Sequence, residues 1–245
     1  MQGFSILKQS FRLVFGNLSQ SVRLSSPILI VLIAAFAIYG PDYLLGEFNP
    51  NSPNSLPASA LFFHFLTAVA GLWVAVAWHR FVLLEEFPEG VLPAFHGRLM
   101  LGYFGYGLLM GLLVGLTTFA VGFLIGFALF WAPVLMTIGV IAVVVWGFWI
   151  FYRLSPILPG HAIGKSIRFK EAWTATKPLS WAILSAMVFF VGSFIALGVA
   201  GAFVATLIPL LGGAIILAIN WLYAVVGVSF LTTLYGVAVE GRSID

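Results

Sequence analysis

Lys and Arg are absent from three long stretches of this 245-residue chain, 24–79, 99–152 and 178–241, which hold 56, 54 and 64 residues. A helix needs about 20 residues, at a rise of about 1.5 Å each, to cross a hydrocarbon core. Each stretch therefore has room for two crossings and a turn. The 11 basic residues all lie outside these stretches. Lys8, Arg12 and Arg23 precede the first, Arg80 and Arg98 separate the first from the second, and Arg153, Lys165, Arg168, Lys170 and Lys177 separate the second from the third; Arg242 follows the last. A basic side chain at mid-bilayer costs on the order of 2.5–3.5 kcal/mol, and the positive-inside rule makes the basic side the cytosol. If all the basic residues share one side, every stretch contains an even number of crossings. The fold class expected is an all-α membrane protein of six transmembrane helices, built as three hairpins, N-in and C-in.

Composition agrees. Hydrophobic residues make up 62% and charged residues 8%, against about 25% charged in a soluble domain. Apolar runs continue almost to the end, so residues 1–245 read as a single integral membrane domain. Its parts are an interfacial helix over 1–24, a first hairpin over 25–84, an inner loop and second hairpin over 85–153, and an inner amphipathic segment, third hairpin and tail over 154–245. The net charge of +3 is spread between apolar blocks, a pattern that argues against nucleic acid as a partner. With no cysteine in the chain, disulfides, thiolate metal sites and a cysteine nucleophile are excluded. Ala35-Phe36-Ala37 is similar to a signal cleavage site, but the amphipathic segment before it is longer than a usual n-region, so no cleavage is expected.

Turns follow from local chemistry. The Asn-, Pro- and Ser-rich stretch from Gly46 to Pro57 predicts the one sizeable outer loop, with Asp42 and Glu47 as the outer charges. A second turn is expected near Phe127 to Pro133, and a tight third one at Pro209-Leu210-Leu211-Gly212-Gly213. Before the first span, Phe4, Leu7, Phe11, Val14, Phe15, Leu18 and Val22 recur at helical spacing, with Lys8, Arg12, Gln20 and Arg23 on the opposite face. This pattern predicts a helix lying in the membrane surface, its basic face toward anionic cytosolic-leaflet lipid. A looser amphipathic segment follows Pro159-Gly160, where Ile163, Ile167, Phe169 and Trp173 alternate with Lys165, Arg168, Lys170 and Glu171. Between the first two hairpins lies a short polar link, Glu85 to Gly97.

Three short motifs border these segments: Trp78-His79-Arg80 with Leu83-Leu84, Tyr152-Arg153-Leu154 to Pro159-Gly160, and Glu171-Ala172-Trp173-Thr174-Ala175-Thr176. On them the chain resembles bacterial six-helix membrane proteins related to the membrane-anchor domain of glycerophosphodiester phosphodiesterases. That resemblance implies a multi-pass protein of the bacterial cytoplasmic (inner) membrane. In the phosphodiesterases catalysis resides in an attached soluble barrel, which this sequence lacks, so no catalytic residue is carried over.

Ionisable groups deep in a membrane mark relays and substrate sites because they are costly there. Here Asp42 and His64 are expected near the outer surface, and His79, Glu85, Glu86, Glu89 and His96 in interfacial water at the inner one. His64 and His79 lie on one helix about 22 Å apart, a spacing like that of a two-haem helix, but His96 and His161 both fall inside, so no haem or other cofactor is expected. No metal-ligand spacing or nucleophile motif appears, and the reading is non-enzymatic. The distinctive intramembrane pattern is Gly107, Gly111 and Gly115, extended by Gly122 and Gly126. This glycine zipper serves either packing within the monomer or contact with a second copy or a membrane-complex partner. Asn220, mid-span, is the polar site to watch. The function expected is organising, assembling or stabilising a membrane complex or lipids, with transport of a small, weakly polar or lipid-like solute as the alternative.

Overall fold

Wherever apolar residues continue around the whole helical wheel for more than about 20 positions, the chain forms one long helix. The computed structural model describes residues 2–40 and 58–244, the side chains of 58–60 excepted, and the regular elements among them are all helical. They are α1 (Gln2–Phe15), α2 (Leu18–Leu24), α3 (Ser26–Tyr39), α4 (Ala58–Leu84), α5 (Gly97–Leu129), α6 (Pro133–Leu154), α7 (Ile157–Ala162), α8 (Phe169–Ala175), α9 (Ser180–Leu207) and α10 (Pro209–Ala238). Among the described residues five helical segments are long and apolar enough to cross a membrane, or six if the bent pair α2–α3 makes one span. The fold is that of a multi-pass helical membrane protein. The expected outer loop, with Asp42 and Glu47, lies outside the described residues.

The second turn falls where Pro133 predicts it, between Leu129 and the Pro133 that opens α6. The third is tighter than expected. Ile208 alone separates α9 from α10, because Pro209 takes the first helical position, where its missing N–H costs nothing. Gly212 makes this turn possible, since a Cβ there would collide with the Ala205 backbone.

The first 24 residues differ from the expected single surface helix. Gly16 and Asn17 interrupt it, leaving α1 and α2 as separate helices. Moreover, α1 packs on α9 and α10. It buries Gly3, Ile6, Leu7, Ser10 and Val14, one continuous helical stripe, against protein. Contact is closest at Gly3, where a Cβ would run into Ser185 and Ala182 of α9. Ser10 lies 3.3 Å from the Thr233 hydroxyl of α10. Phe4, Phe15, Leu18 and Val22 stay exposed, as do Lys8, Arg12 and Arg23. The apolar set read from the sequence thus divides between a protein-facing stripe and an outward one.

From α2 the chain bends by 68° at Ser25-Ser26-Pro27 into α3. Fourteen residues give α3 a length of about 21 Å, short of the ~30 Å hydrocarbon core. Its start lies beside the middle of α10, because the Trp221 indole donates to Ser25 Oγ at 2.7 Å. Ser25 in turn donates to the Ser21 carbonyl at 2.5 Å, so the broken helix satisfies its own polar groups.

Packing is uneven. Trp78, Phe190, Phe230, Leu234 and Ile183 are all but inaccessible, and with α1 they form a core shared by α4, α9 and α10. Within an 18-residue apolar stretch of each span, a third of the α4 and α9 residues are buried inside the protein, against 6% in α5 and 11% in α6–α7. α5 and α6 pack on each other and meet the rest chiefly near one end, through Met100, Tyr103 and Met110. Beyond that end they project as an arm, with Leu116, Phe119, Phe123, Phe127 and Val134 exposed.

Candidate functional site

The three motif segments converge at the end of the bundle where the basic residues collect. Its level is set by contacts among four long helices. His79 of α4 touches Tyr103 of α5 and Thr232 of α10, and Tyr152 of α6 meets Phe230 of α10 edge-on at 5.1 Å.

His79 is fully buried, not solvated at the interface as the sequence predicts. Both ring nitrogens have partners: Nδ1 lies 2.8 Å from Thr232 Oγ1 and Nε2 lies 3.2 Å from the Tyr103 hydroxyl. Thr232 gives its own proton to the Val228 carbonyl at 2.9 Å. Its oxygen therefore accepts from Nδ1–H, and Nε2 pairs with the Tyr103 hydroxyl. This is a polar lock between three helices. Its partners lie 153 and 24 positions away in sequence, so no local signal could have revealed it.

The next residue, Arg80, bonds Glu86 through Nη2 at 2.5 Å and Nε at 2.8 Å, and donates to the Ala162 carbonyl at 3.2 Å. The other Glu86 oxygen lies 2.7 Å from His96 Nε2. Glu85 makes this possible by adopting φ +57°, which ends α4 and turns the chain back so that the Glu86 N–H reaches the Arg80 carbonyl at 3.4 Å. Burial pushes the Glu86 carboxyl upward, but the hydrogen bonds and charges of Arg80 and His96 outweigh it and hold it below its ordinary value. Glu86, expected in interfacial water, is thus the centre of an ion-pair clasp that joins α4 to the residue preceding α5.

The link that carries this clasp is less polar than its charges suggest. It folds back along α4, where the Trp73 indole donates to the Ala94 carbonyl at 3.1 Å and the Ser26 hydroxyl to the Val91 carbonyl at 2.7 Å. Phe87, Val91, Leu92 and Phe95 remain exposed. Beneath the strap, beside the α2–α3 break, lies a cleft of about 400 Å³ bordered by Leu24, Ala77, Glu86, Phe87, Glu89 and Leu92.

On the other side, Arg153 is 4% exposed and lies 3.6 Å from the Trp173 ring centroid and 5.2 Å from that of Trp149. It donates to the Trp173 carbonyl at 2.7 Å, while Thr176 Oγ1 donates to the Arg153 carbonyl at 3.0 Å. Two motifs far apart in sequence therefore form one unit, closed by cation–π contact and hydrogen bonds. Among the described residues no carboxylate pairs with Arg153. Lys165, Arg168 and Lys170 stand exposed on the neighbouring α7–α8 segment. There the Arg168 N–H donates to Glu171 at 2.9 Å, opening α8.

The other sequence candidates lie away from this end. A Cβ at Gly107, Gly111, Gly115 or Gly126 would meet nothing within 4 Å, and one at Gly122 only Val143 at 3.8 Å. Close α5–α6 contacts occur instead at Gly139 against Ile125 and at Gly147 against Thr118. The zipper face is therefore open in the monomer. Asn220 donates to the Ile216 carbonyl of its own helix at 2.9 Å. It also borders a shallow groove of about 370 Å³ with Phe194, Gly198 and Tyr223.

No protein-family model, curated protein or solved structure matches this chain.

Proposed function

We propose that this chain is a non-enzymatic protein of a bacterial cytoplasmic membrane, related to the phosphodiesterase membrane-anchor proteins, that organises or stabilises other membrane components through its α5–α6 arm. The observation that carries the reading is the contrast in packing. The core is closed by interlocked side chains, whereas the arm presents an open run of glycines, the surface on which another helix approaches closely. The proposed topology is three hairpins with both termini and all basic helix ends in the cytosol, supported by the positions of Arg80, Arg98, Arg153, Lys177 and Arg242.

The cysteine-free sequence makes the test direct. A photo-crosslinker at Leu112, on the arm, is expected to give discrete protein adducts in native membranes. The same group at exposed Ile30, on α3, is expected to give none. Identical adduct patterns from both positions would sink the proposal. For topology, a cysteine at Ser243 should react with a membrane-impermeant maleimide only after the membrane is opened.

A second reading, transport of a small, weakly polar or lipid-like solute, is favoured by the 68° helix break facing the 400 Å³ cleft, since broken helices line many transporter sites. Solute-dependent protection of a cysteine at Gly90 would favour it over the first.

A further inference from the structure

A slot of about 460 Å³ runs between α6 and α9, walled by Trp146, Trp149 and Trp181 with Ala142, Val145 and Leu184. Its lining is almost wholly apolar. From Ala142 to Trp149 it follows α6 for about 11 Å, ending at the basic end of the bundle. There its floor is fixed, because the Trp149 indole donates to the Ser180 carbonyl at 3.0 Å. Two positive groups stand at this end. Lys177, one turn before Ser180, is exposed. Arg153 lies against the wall residue Trp149, buried and without a carboxylate partner among the described residues. A 3-10 turn over Lys177–Leu179 leads directly into α9, and this helical run adds the positive end of its dipole.

We propose that this slot is a binding site for one anionic glycerophospholipid of the leaflet at the basic end, with an acyl chain along the tryptophans and the phosphate at Lys177 and the start of α9. The charges argue for that occupant over a neutral lipid. Between residues 165 and 177 the chain carries Lys165, Arg168, Lys170 and Lys177 against Glu171 alone. An apolar slot ending in that field matches a chain attached to an anion, and each basic residue near a membrane surface favours an anionic lipid by about fivefold. The site goes beyond the organising role and holds whether or not the arm has a partner.

Native mass spectrometry of the full, delipidated chain, titrated with phosphatidylglycerol or phosphatidylcholine of equal chain length, tests it. One phosphatidylglycerol should bind at least about fivefold more tightly than phosphatidylcholine. Lys177→Glu should abolish the preference and leave phosphatidylcholine binding unchanged, and Ala142→Trp, which fills the slot, should weaken both. Lys8→Glu, on α1, serves as the charge control and should change neither. Equal binding of the two lipids, or a preference that survives both Lys177→Glu and Ala142→Trp, would overturn the site. If Ala142→Trp does not fold, phosphatidylglycerol with brominated chains gives the second readout. Its quenching of tryptophan fluorescence should fall sharply in a Trp146→Phe/Trp181→Phe variant, and quenching that is unchanged would count equally against the proposal.

Discussion

The α9–α10 pair and the α5–α6 pair have nearly the same composition and opposite fates. Both are apolar throughout, yet Phe190 in the first stacks on Phe230 at 5.9 Å and Tyr223 at 5.2 Å, while Phe123 in the second is 65% exposed. In a bilayer, lipid tails cover an exposed Phe as well as protein does, so apolar character alone does not decide which helices associate. Fit and polar locks decide it. The core pair has α1 docked across it and His79 bonded to it, whereas the arm has such fastenings only at its basic end.

The widest expected difference comes from truncating one phenylalanine in each region. Phe190→Ala should cost about 2 kcal/mol or more, mostly as a cavity, whereas Phe123→Ala should stay within about 0.5 kcal/mol. Unfolding midpoints in one detergent compare them directly, and equal losses would mean that the arm is packed against something.

The next effect concerns the joint between the regions. Glu86→Gln should cost about 1 kcal/mol and loosen the arm, since it removes the carboxylate shared by Arg80 and His96. Because the folded carboxyl is held below its ordinary value, its stabilisation is fully present above the usual carboxylate range and is lost as pH falls through the depressed value. Acid titration of the unfolding midpoint should therefore show a component in wild type that Glu86→Gln lacks.

Smaller still, Gly111→Leu and Gly115→Leu should leave the isolated fold within about 0.5 kcal/mol, as a Cβ at either position meets nothing within 4 Å. They should nevertheless remove the Leu112 crosslinks. Smallest is Glu85→Gly: relief of the left-handed strain and the greater freedom of the unfolded chain nearly offset, leaving a few tenths of a kcal/mol.

Charge placement made most of the helix count legible, because long Lys/Arg-free runs leave few alternatives, and Pro133 marked its turn. What the sequence could not show was which face meets protein. The apolar positions of α1 look alike by periodicity, but Ile6 and Leu7 are buried while Phe4 and Phe15 are not, a choice made by Ser185 and Thr233 more than 170 residues away. The candidate site was half legible. The motifs were visible as separate patches; that Arg153 lies under Trp173, and that His79 is locked dry between three helices, depends on long-range packing.

The docking of α1 also orders the protein's assembly in time. Synthesis runs from the N-terminus, so Gly3 and Ser10 emerge more than 170 residues before the Ser185 and Thr233 they pack against. α1 is made before the α9–α10 pair it packs on, and this part of the core closes only once that pair is in place. A nascent chain stalled before α9 should therefore present the α1 stripe of Gly3, Ile6 and Ser10 to proteases and chaperones, and release should bury it.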